Sequence, residues 1–178
     1  LASPALLASN FPLMPAVHAA AQQDTIKEST LPAKAAGDKD EERSVEAPVP
    51  WLLVEDHRIE ALNANGKCVT YSSHPVLRVN GEERETLSRA LDAWNKHEAQ
   101  AAKKGFDFAY ECKNDDRQSG SLEEIAYFDY SVITKWGRVD EQMISFCSFG
   151  ISYTGGIHPM HGEGGTTFDA KTGKEVPL

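Results

Sequence analysis

The sequence predicts an α+β domain in which an antiparallel sheet packs against one long amphipathic helix. Alternating apolar residues predict several strands, and one stretch changes to helical spacing, with Leu87, Leu91 and Trp94 on one face. Short connections between the strands after the helix favour antiparallel pairing, because parallel neighbours need a long crossover. The 178 residues are enough for one such domain with an extension.

The first 21 residues are mildly apolar, contain no Asp, Glu, Lys or Arg, and end in three alanines. This pattern is typical of the end of an export signal that lacks its charged start. The alternative is a disordered Ala-rich N-terminus. Pro4, Pro12 and Pro15 interrupt the stretch and disfavour a transmembrane helix. We therefore expect an exported protein, periplasmic or secreted, without a transmembrane segment in this chain.

Residues 22–50 are rich in Asp, Glu, Lys, Ala and Pro and contain few large apolar residues. Such a segment buries too little surface to offset the entropy of ordering it. The sequence predicts a disordered charged linker here, followed by an α+β envelope domain at residues 51–178.

The domain is expected to begin with a hairpin. Residues 51–62 predict a first strand, Asn65 and Gly66 a tight turn with positive φ, and residues 67–71 the returning strand. Residues 74–79 follow as a short extended piece.

The predicted helix covers about residues 81–104. Asn80 is a suitable N-cap with Glu83 three residues later, and Gly105 is predicted to stop the helix. Alternating apolar residues then return and predict a strand at 106–112, with Cys112 on its apolar face. The later predicted elements are a polar loop at 114–121, a strand at 125–136, a turn at Gly137-Arg138, a strand at 143–153 and a resumed strand at 166–169.

A Gly-rich loop interrupts the last predicted strands. Its candidate ligand-binding residues are Tyr153, Thr154, Gly155, Gly156 and His158. Two hydroxyls and two glycines at a strand end suit a polar recognition surface that approaches a ligand closely. The alternative is structural, a sharp chain reversal that glycine permits, with the threonine capping the turn.

These residues also carry a family resemblance. The segments HPVL at residues 74–77, YTGGIHP at 153–159 and FDAKTGK at 168–174 resemble the extracytoplasmic domain of the RsiV-type anti-sigma factors. They are similar as well to the non-catalytic N-terminal domain of the PdaC-type peptidoglycan deacetylases. The resemblance covers roughly residues 54–178, and Ile157 stands where the family usually has Ala. Because the family continues past the FDAKTGK turn, we expect a chain truncated at its C-terminus.

The resemblance implies an envelope domain of unknown function that binds a partner without catalysis or cofactor. In RsiV-type members that partner is lysozyme, so we expect a lysozyme-like protein or a peptidoglycan fragment. The formal net charge of −9 suits a basic protein partner and argues against nucleic acid, which needs a basic face. Oligomeric state does not follow from the sequence.

The alternative function is a small metal-dependent hydrolase. His158, His161 and Glu163 provide imidazole and carboxylate ligands that suit zinc. Their spacing is weak evidence, because zinc motifs usually hold histidines on a helix and the surrounding glycines exclude one. Other carboxylates, Asp107 and Asp129 among them, have no sequence context that implies burial, and we expect them at the surface.

Three cysteines, Cys68, Cys112 and Cys147, all fall within predicted strands. Export would place them in an oxidising compartment, where one disulfide forms and one thiol remains. The apolar positions predicted for Cys112 and Cys147 favour a bridge between them over one from Cys68 to Cys112.

Overall fold

The structure, a computed structural model, describes residues 23–35, 43–80, 84–118 and 126–177. These residues form an α+β fold, as predicted. Among them, no helix offers an apolar stretch that would cross a bilayer. In chain order the elements are β1 (Thr25–Pro32), β2 (Leu52–Leu62), β3 (Cys68–Val79), α1 (Glu85–Gln118), β4 (Tyr127–Val139), β5 (Met143–Tyr153) and β6 (Met160–Asp169).

The strands form one sheet in the order β1-β2-β3-β4-β5-β6. All neighbours are antiparallel except β3 and β4, which run parallel with Ser73 opposite Tyr130. The prediction of a wholly antiparallel sheet is therefore wrong at this pair. The reason is that α1 itself joins β3 to β4, and its 34 residues provide the long crossover that a parallel pair requires.

The helix continues through Gly105 to residue 118, so the predicted stop and the predicted strand at 106–112 are wrong. Phe106 and Ala109 are buried whereas Phe108 is 59% exposed, which is helical rather than alternating burial. A glycine inside a helix costs about 1 kcal/mol relative to alanine. Burial of one phenylalanine side chain stabilises by about 1.5–3 kcal/mol, which offsets that cost.

The predicted apolar stripe of α1 packs on the sheet, as expected. Leu87 and Leu91 are each 1% exposed and belong to the main hydrophobic core. The ring of Trp94 makes edge contacts with Phe146 and Phe168, with centroids 5.6 Å and 6.2 Å away. This core fixes the first half of the helix against β2 to β6.

Part of the predicted linker is folded onto the sheet. β1 pairs with β2 over eight residue pairs. Ser44 is fully buried, and the backbone N–H of Val45 donates to the carbonyl oxygen of Ile133 at 2.9 Å. Residues 23–35 and 43–50 satisfy backbone groups that the sheet would otherwise leave unpaired. The predicted export signal at 1–21 lies outside the described residues.

The turns agree with the sequence in part. Gly66 has a φ of 75° between β2 and β3, which confirms the predicted hairpin. The extended piece at 74–79 is the end of β3 rather than a separate element. β4 continues through Gly137, so the turn into β5 lies at residues 140–142 instead. β6 begins at Met160, which shortens the predicted Gly-rich loop.

Candidate functional site

The predicted recognition loop lies where the chain leaves β5 and turns back into β6. Gly155 and Gly156 have φ values of 96° and 108°, in the left-handed region that favours glycine. The Tyr153 hydroxyl closes the turn by donating to the carbonyl oxygen of Gly156 at 3.1 Å. Thr154 is half-buried beside them. The conformation of this turn alone accounts for both glycines.

The base of the loop is anchored to α1 and β4. A Cβ added at Gly155 would lie 2.7 Å from the Tyr127 hydroxyl, so the backbone passes close to that ring. The same hydroxyl donates to the carboxylate of Asp116 on α1. The Tyr153 ring meets the Tyr127 ring edge-on, with centroids 5.3 Å apart. These contacts fix the direction in which the loop projects.

The tip of the loop is exposed and apolar. Ile157 is 99% exposed and Met160 is 66% exposed. His158, which lies between them, is also exposed, and its Nδ1 is 3.3 Å from the carbonyl oxygen of Pro159. Single exposed apolar residues are common on protein surfaces. Ile157 on the anchored loop is nevertheless fully exposed, which suits insertion into a partner's pocket.

The three candidate zinc ligands do not share one element. His161 and Glu163 lie on β6, where they are opposite Ile151 and Phe149 of β5, whereas His158 lies in the loop. The His161 ring stacks on Phe149, with centroids 6.1 Å apart. Within the described ranges, no group of three or more His, Cys, Asp or Glu side chains is placed to hold a metal ion.

The cysteines lie on different elements from those expected. Cys112 is on α1, whereas Cys68 and Cys147 are on β3 and β5. All three are free thiols. The predicted bridge between Cys112 and Cys147 assumed two strands of one sheet, and that premise is wrong because the helix extends past residue 112. Burial raises the pKa of the Cys68 and Cys112 thiols, which disfavours the reactive thiolate.

A second candidate site lies where the sheet forks between β3 and β4. Their pairing ends at Ser73 opposite Tyr130. Beyond that point the backbone N–H and carbonyl oxygen of Leu77 bond to the side chain of Asn95 on α1, at 2.9 Å and 2.8 Å. The N–H of Ile133 on β4 instead donates to the Ser44 hydroxyl oxygen, at 2.9 Å. The two strands therefore separate, each with its own partner.

The fork opens into a cleft of about 430 Å³ between α1 and the sheet. Its lining comes from β3, α1, β4, β5 and β6. Across the sheet, Ser131 pairs with Gly150, and Gly150 pairs with Gly162. Paired residues share a face, so this row places only one hydroxymethyl group and two bare backbone positions on the side where Ser131 lies. The cleft exists because β5 and β6 carry no side chain at Gly150 and Gly162.

The polar groups of the cleft are poorly solvated. Burial raises the pKa of the Asp129 carboxyl, and no hydrogen bond from the described residues reaches it. Burial, with the nearby His57, lowers the pKa of His74 to about 4, so its ring is neutral at pH 7. Asp129 also touches α1 closely: a Cβ added at Gly105 would meet its carboxylate oxygen at 1.9 Å. The expectation that Asp129 is a surface residue is therefore wrong.

Two solved structures of DUF3298-family proteins are similar to this chain. The one from Bacteroides fragilis is 9% identical, with a TM-score of 0.45, and the match covers 70% of this chain and 58% of that one. The one from Pseudomonas aeruginosa is 12% identical, with a TM-score of 0.35, and the match covers 86% and 53%. This chain thus spans little more than half of either protein.

No family model and no curated protein matches the sequence. The structural neighbours belong to a family of unknown function, and at this level of likeness they assign neither the RsiV type nor the PdaC type to the chain.

The sequence pointed to the loop but not to the cleft. Two signals for the cleft were present: a polar run at residues 72–74 inside a strand, and Gly105 inside a helical pattern. A glycine within a helix often has a packing reason. Here that reason is the carboxylate of Asp129, which lies 24 residues further along the chain.

Proposed function

We propose that this chain is a non-catalytic extracytoplasmic binding domain whose partner is a basic, lysozyme-like protein. The observation that carries the proposal is the anchored loop with a fully exposed Ile157 at its tip. An apolar side chain presented in this way loses water when it enters a partner's cleft, and its anchored base limits the entropy cost.

Charge and sequence support the same partner class. The formal net charge of −9 attracts a basic protein and speeds its encounter. The YTGGIHP and FDAKTGK segments resemble RsiV-type domains, whose partner is lysozyme. The export-like residues 1–21 support an extracytoplasmic location.

The loop geometry favours binding over hydrolysis. The Tyr153 hydroxyl is engaged with the backbone of the loop, and the candidate zinc ligands are divided between the loop and β6. A hydrolase that uses His158, His161 and Glu163 would need these side chains to converge on one ion.

A cell-wall glycan is the second candidate partner, because the sheet carries a row of aromatic rings. Phe128, Tyr130 and Tyr153 are half-buried, and Tyr71 stacks on Phe128 with centroids 5.4 Å apart. Phe128 is opposite Tyr153 on β5, so both rings lie on the same face. Flat rings of this kind pack against the apolar faces of sugars.

Calorimetric titration of the full chain with a hen-type lysozyme at low salt tests the first candidate. We expect binding that weakens as salt is added, because exposed charges are then screened. Ile157→Asp should weaken it by about tenfold or more, which corresponds to about 1.4 kcal/mol. Ile26→Asp is the matched control, since Ile26 is 49% exposed on β1.

Two results would contradict the lysozyme proposal: no binding of lysozyme at low salt, or equal losses from the two substitutions. Titration with soluble muropeptides separates the second candidate. Binding of muropeptides that is lost in Phe128→Ala and kept in Ile157→Asp would place the glycan ahead of the protein partner.

A further inference from the structure

The cleft at the fork is suited to a small molecule rather than to a protein partner. Its volume of about 430 Å³ lies within the range of small-molecule sites, which begins at about 300 Å³. Ala101 and Ala102 of α1 and the bare glycine positions of β5 and β6 leave room for a ligand. Ile157 is not part of this lining, whereas Met160 at the start of β6 is, so the cleft adjoins the loop without including Ile157.

The charges around the cleft are of one sign. Asp129 and Glu98 both line it, whereas no lysine or arginine does. Glu98 faces the exposed ring of His97, with 3.4 Å between its Oε1 and the ring Nδ1. The Asp129 carboxylate accepts no hydrogen bond from the described residues. Two carboxylates in a lining that holds no lysine or arginine attract a cation.

Buried polar atoms beside the cleft lack partners as well. Ser73 is 2% exposed and His74 is 3% exposed, and both line the cleft. The Ser73 hydroxyl and the His74 Nδ1 make no hydrogen bond within the described part of the chain. Buried polar groups normally have a partner, because leaving them unpaired is unfavourable. A ligand with hydroxyl groups would supply what these atoms lack.

We propose that the cleft binds a small hydroxylated primary amine, with its ammonium group at Asp129 and Glu98 and its hydroxyls toward His74 and Ser131. A protonated amine has three donors, which match carboxylate acceptors. A simple metal ion fits less well, because no group of three ligands converges among the described residues. This proposal does not depend on lysozyme binding.

Three sugars of the same ring type test the charge requirement. D-glucosamine carries a protonated amine, N-acetylglucosamine carries a neutral amide at the same carbon, and glucose carries a hydroxyl there. Titrations of the full chain are followed by NMR of the sugar. We expect glucosamine to bind at least about tenfold more tightly than either of the other two. Equal affinity for all three sugars, or no binding of glucosamine in the millimolar range, would overturn the proposal and leave a water-filled cleft.

A substitution of the carboxylate tests which residue holds the amine. Asp129→Asn keeps the shape of the side chain and removes its charge, so glucosamine binding should fall by about tenfold or more. Asp107→Asn is the matched control, because Asp107 is an exposed residue of α1 outside the cleft. Unchanged binding in Asp129→Asn would refute the role assigned to this carboxylate.

A larger side chain at a glycine that lines the cleft tests the site without a change of charge. A Cβ added at Gly162 meets nothing within 4 Å, so we expect the fold to tolerate Gly162→Val, whose side chain would occupy the cleft. Gly164→Val is the control on the same strand: its Cβ makes an ordinary contact of 3.4 Å with the Ser148 hydroxyl, and it does not line the cleft. We expect loss of glucosamine binding in the first variant only. Equal binding in both would exclude this cleft as the site.

Discussion

Asp56 on β2 and Asp129 on β4 are two carboxyls of the same sheet that are withdrawn from water, and burial raises the pKa of both. Their surroundings differ. Asp56 is fully buried and accepts hydrogen bonds from the Ser44 backbone N–H at 2.7 Å and from the Ser44 hydroxyl at 2.5 Å. Asp129 has no such donor among the described residues and faces an open cleft.

The two carboxyls lie on opposite sides of the fork in the sheet. Asp56 belongs to a closed polar network, in which the Ser44 hydroxyl oxygen also accepts a hydrogen bond from the Ile133 N–H. Asp129 belongs to an open polar region together with His74, whose Nδ1 is unpaired in the described structure. A satisfied buried carboxyl contributes to structure, whereas an unsatisfied one beside a cleft is available to a ligand.

The largest expected effect comes from His74, in the open region. Its folded pKa is about 4, below the ordinary histidine pKa of 6.5, so the folded state disfavours the proton that the unfolded state binds. Its contribution to stability is therefore full above pH 6.5 and is lost as the pH falls toward 4, by up to about 3 kcal/mol. Urea unfolding of the wild type and of His74→Asn between pH 6.5 and pH 4 measures this contribution. The difference between their unfolding free energies should shrink as the pH falls.

The raised pKa values of Asp56 and Asp129 act in the opposite direction, because the folded state binds those protons more readily than the unfolded state does. Both aspartates are present in the wild type and in His74→Asn. The difference between the unfolding free energies of the two proteins therefore isolates the effect of His74. His97→Asn is the control for the loss of an imidazole, since this side chain is 77% exposed. Parallel profiles for wild type and His74→Asn would show that His74 titrates normally.

The closed network predicts the second effect. Asp56→Ala removes the acceptor of two hydrogen bonds and leaves the buried Ser44 N–H unpaired. We expect the free energy of unfolding at pH 7 to fall by about 2 kcal/mol. Chemical denaturation of Asp56→Ala measures this loss. Asp92→Ala, at an exposed position on α1, is the control measured in the same way. A loss no larger than that of the control would mean that Ser44 and Asp56 do not contribute to stability as a pair.

Local sequence patterns predicted the elements whose causes are local. The β2–β3 hairpin, the long strands β4 and β5 and the buried Leu87 and Leu91 all follow from turn residues or periodicity. The end of the helix did not follow from local patterns. A glycine such as Gly105 ends a helix only where no packing contact favours glycine inside the helix. Its packing against Asp129 is a tertiary contact that a short window of sequence does not contain.

The same distinction applies to the sites. The loop is one continuous segment, so its glycines and its position between strands were visible in the sequence. The cleft combines Ser73, Asp129 and Gly162, which lie on three strands and meet only through the sheet register. The parallel pairing of β3 and β4 was predicted incorrectly, and without that pairing the fork cannot be derived from the sequence.

The smallest predicted effect has the opposite sign and separates the two carboxyls most directly. Asp129→Asn should raise the free energy of unfolding at pH 7 by about 0.5–1 kcal/mol, because it removes a partly buried charge that no donor stabilises. A carboxyl with a raised folded pKa contributes stability below its unfolded pKa of 3.8 and loses it as the pH rises through the folded pKa. The gain should therefore vanish in acid. Asp56→Asn, measured alongside by urea unfolding, should show no gain at pH 7, since the hydrogen bonds from Ser44 favour the carboxylate there. If Asp129→Asn destabilised the fold as much as Asp56→Asn, then Asp129 would be a structural residue, and its unsatisfied carboxyl would no longer distinguish the open region from the closed one.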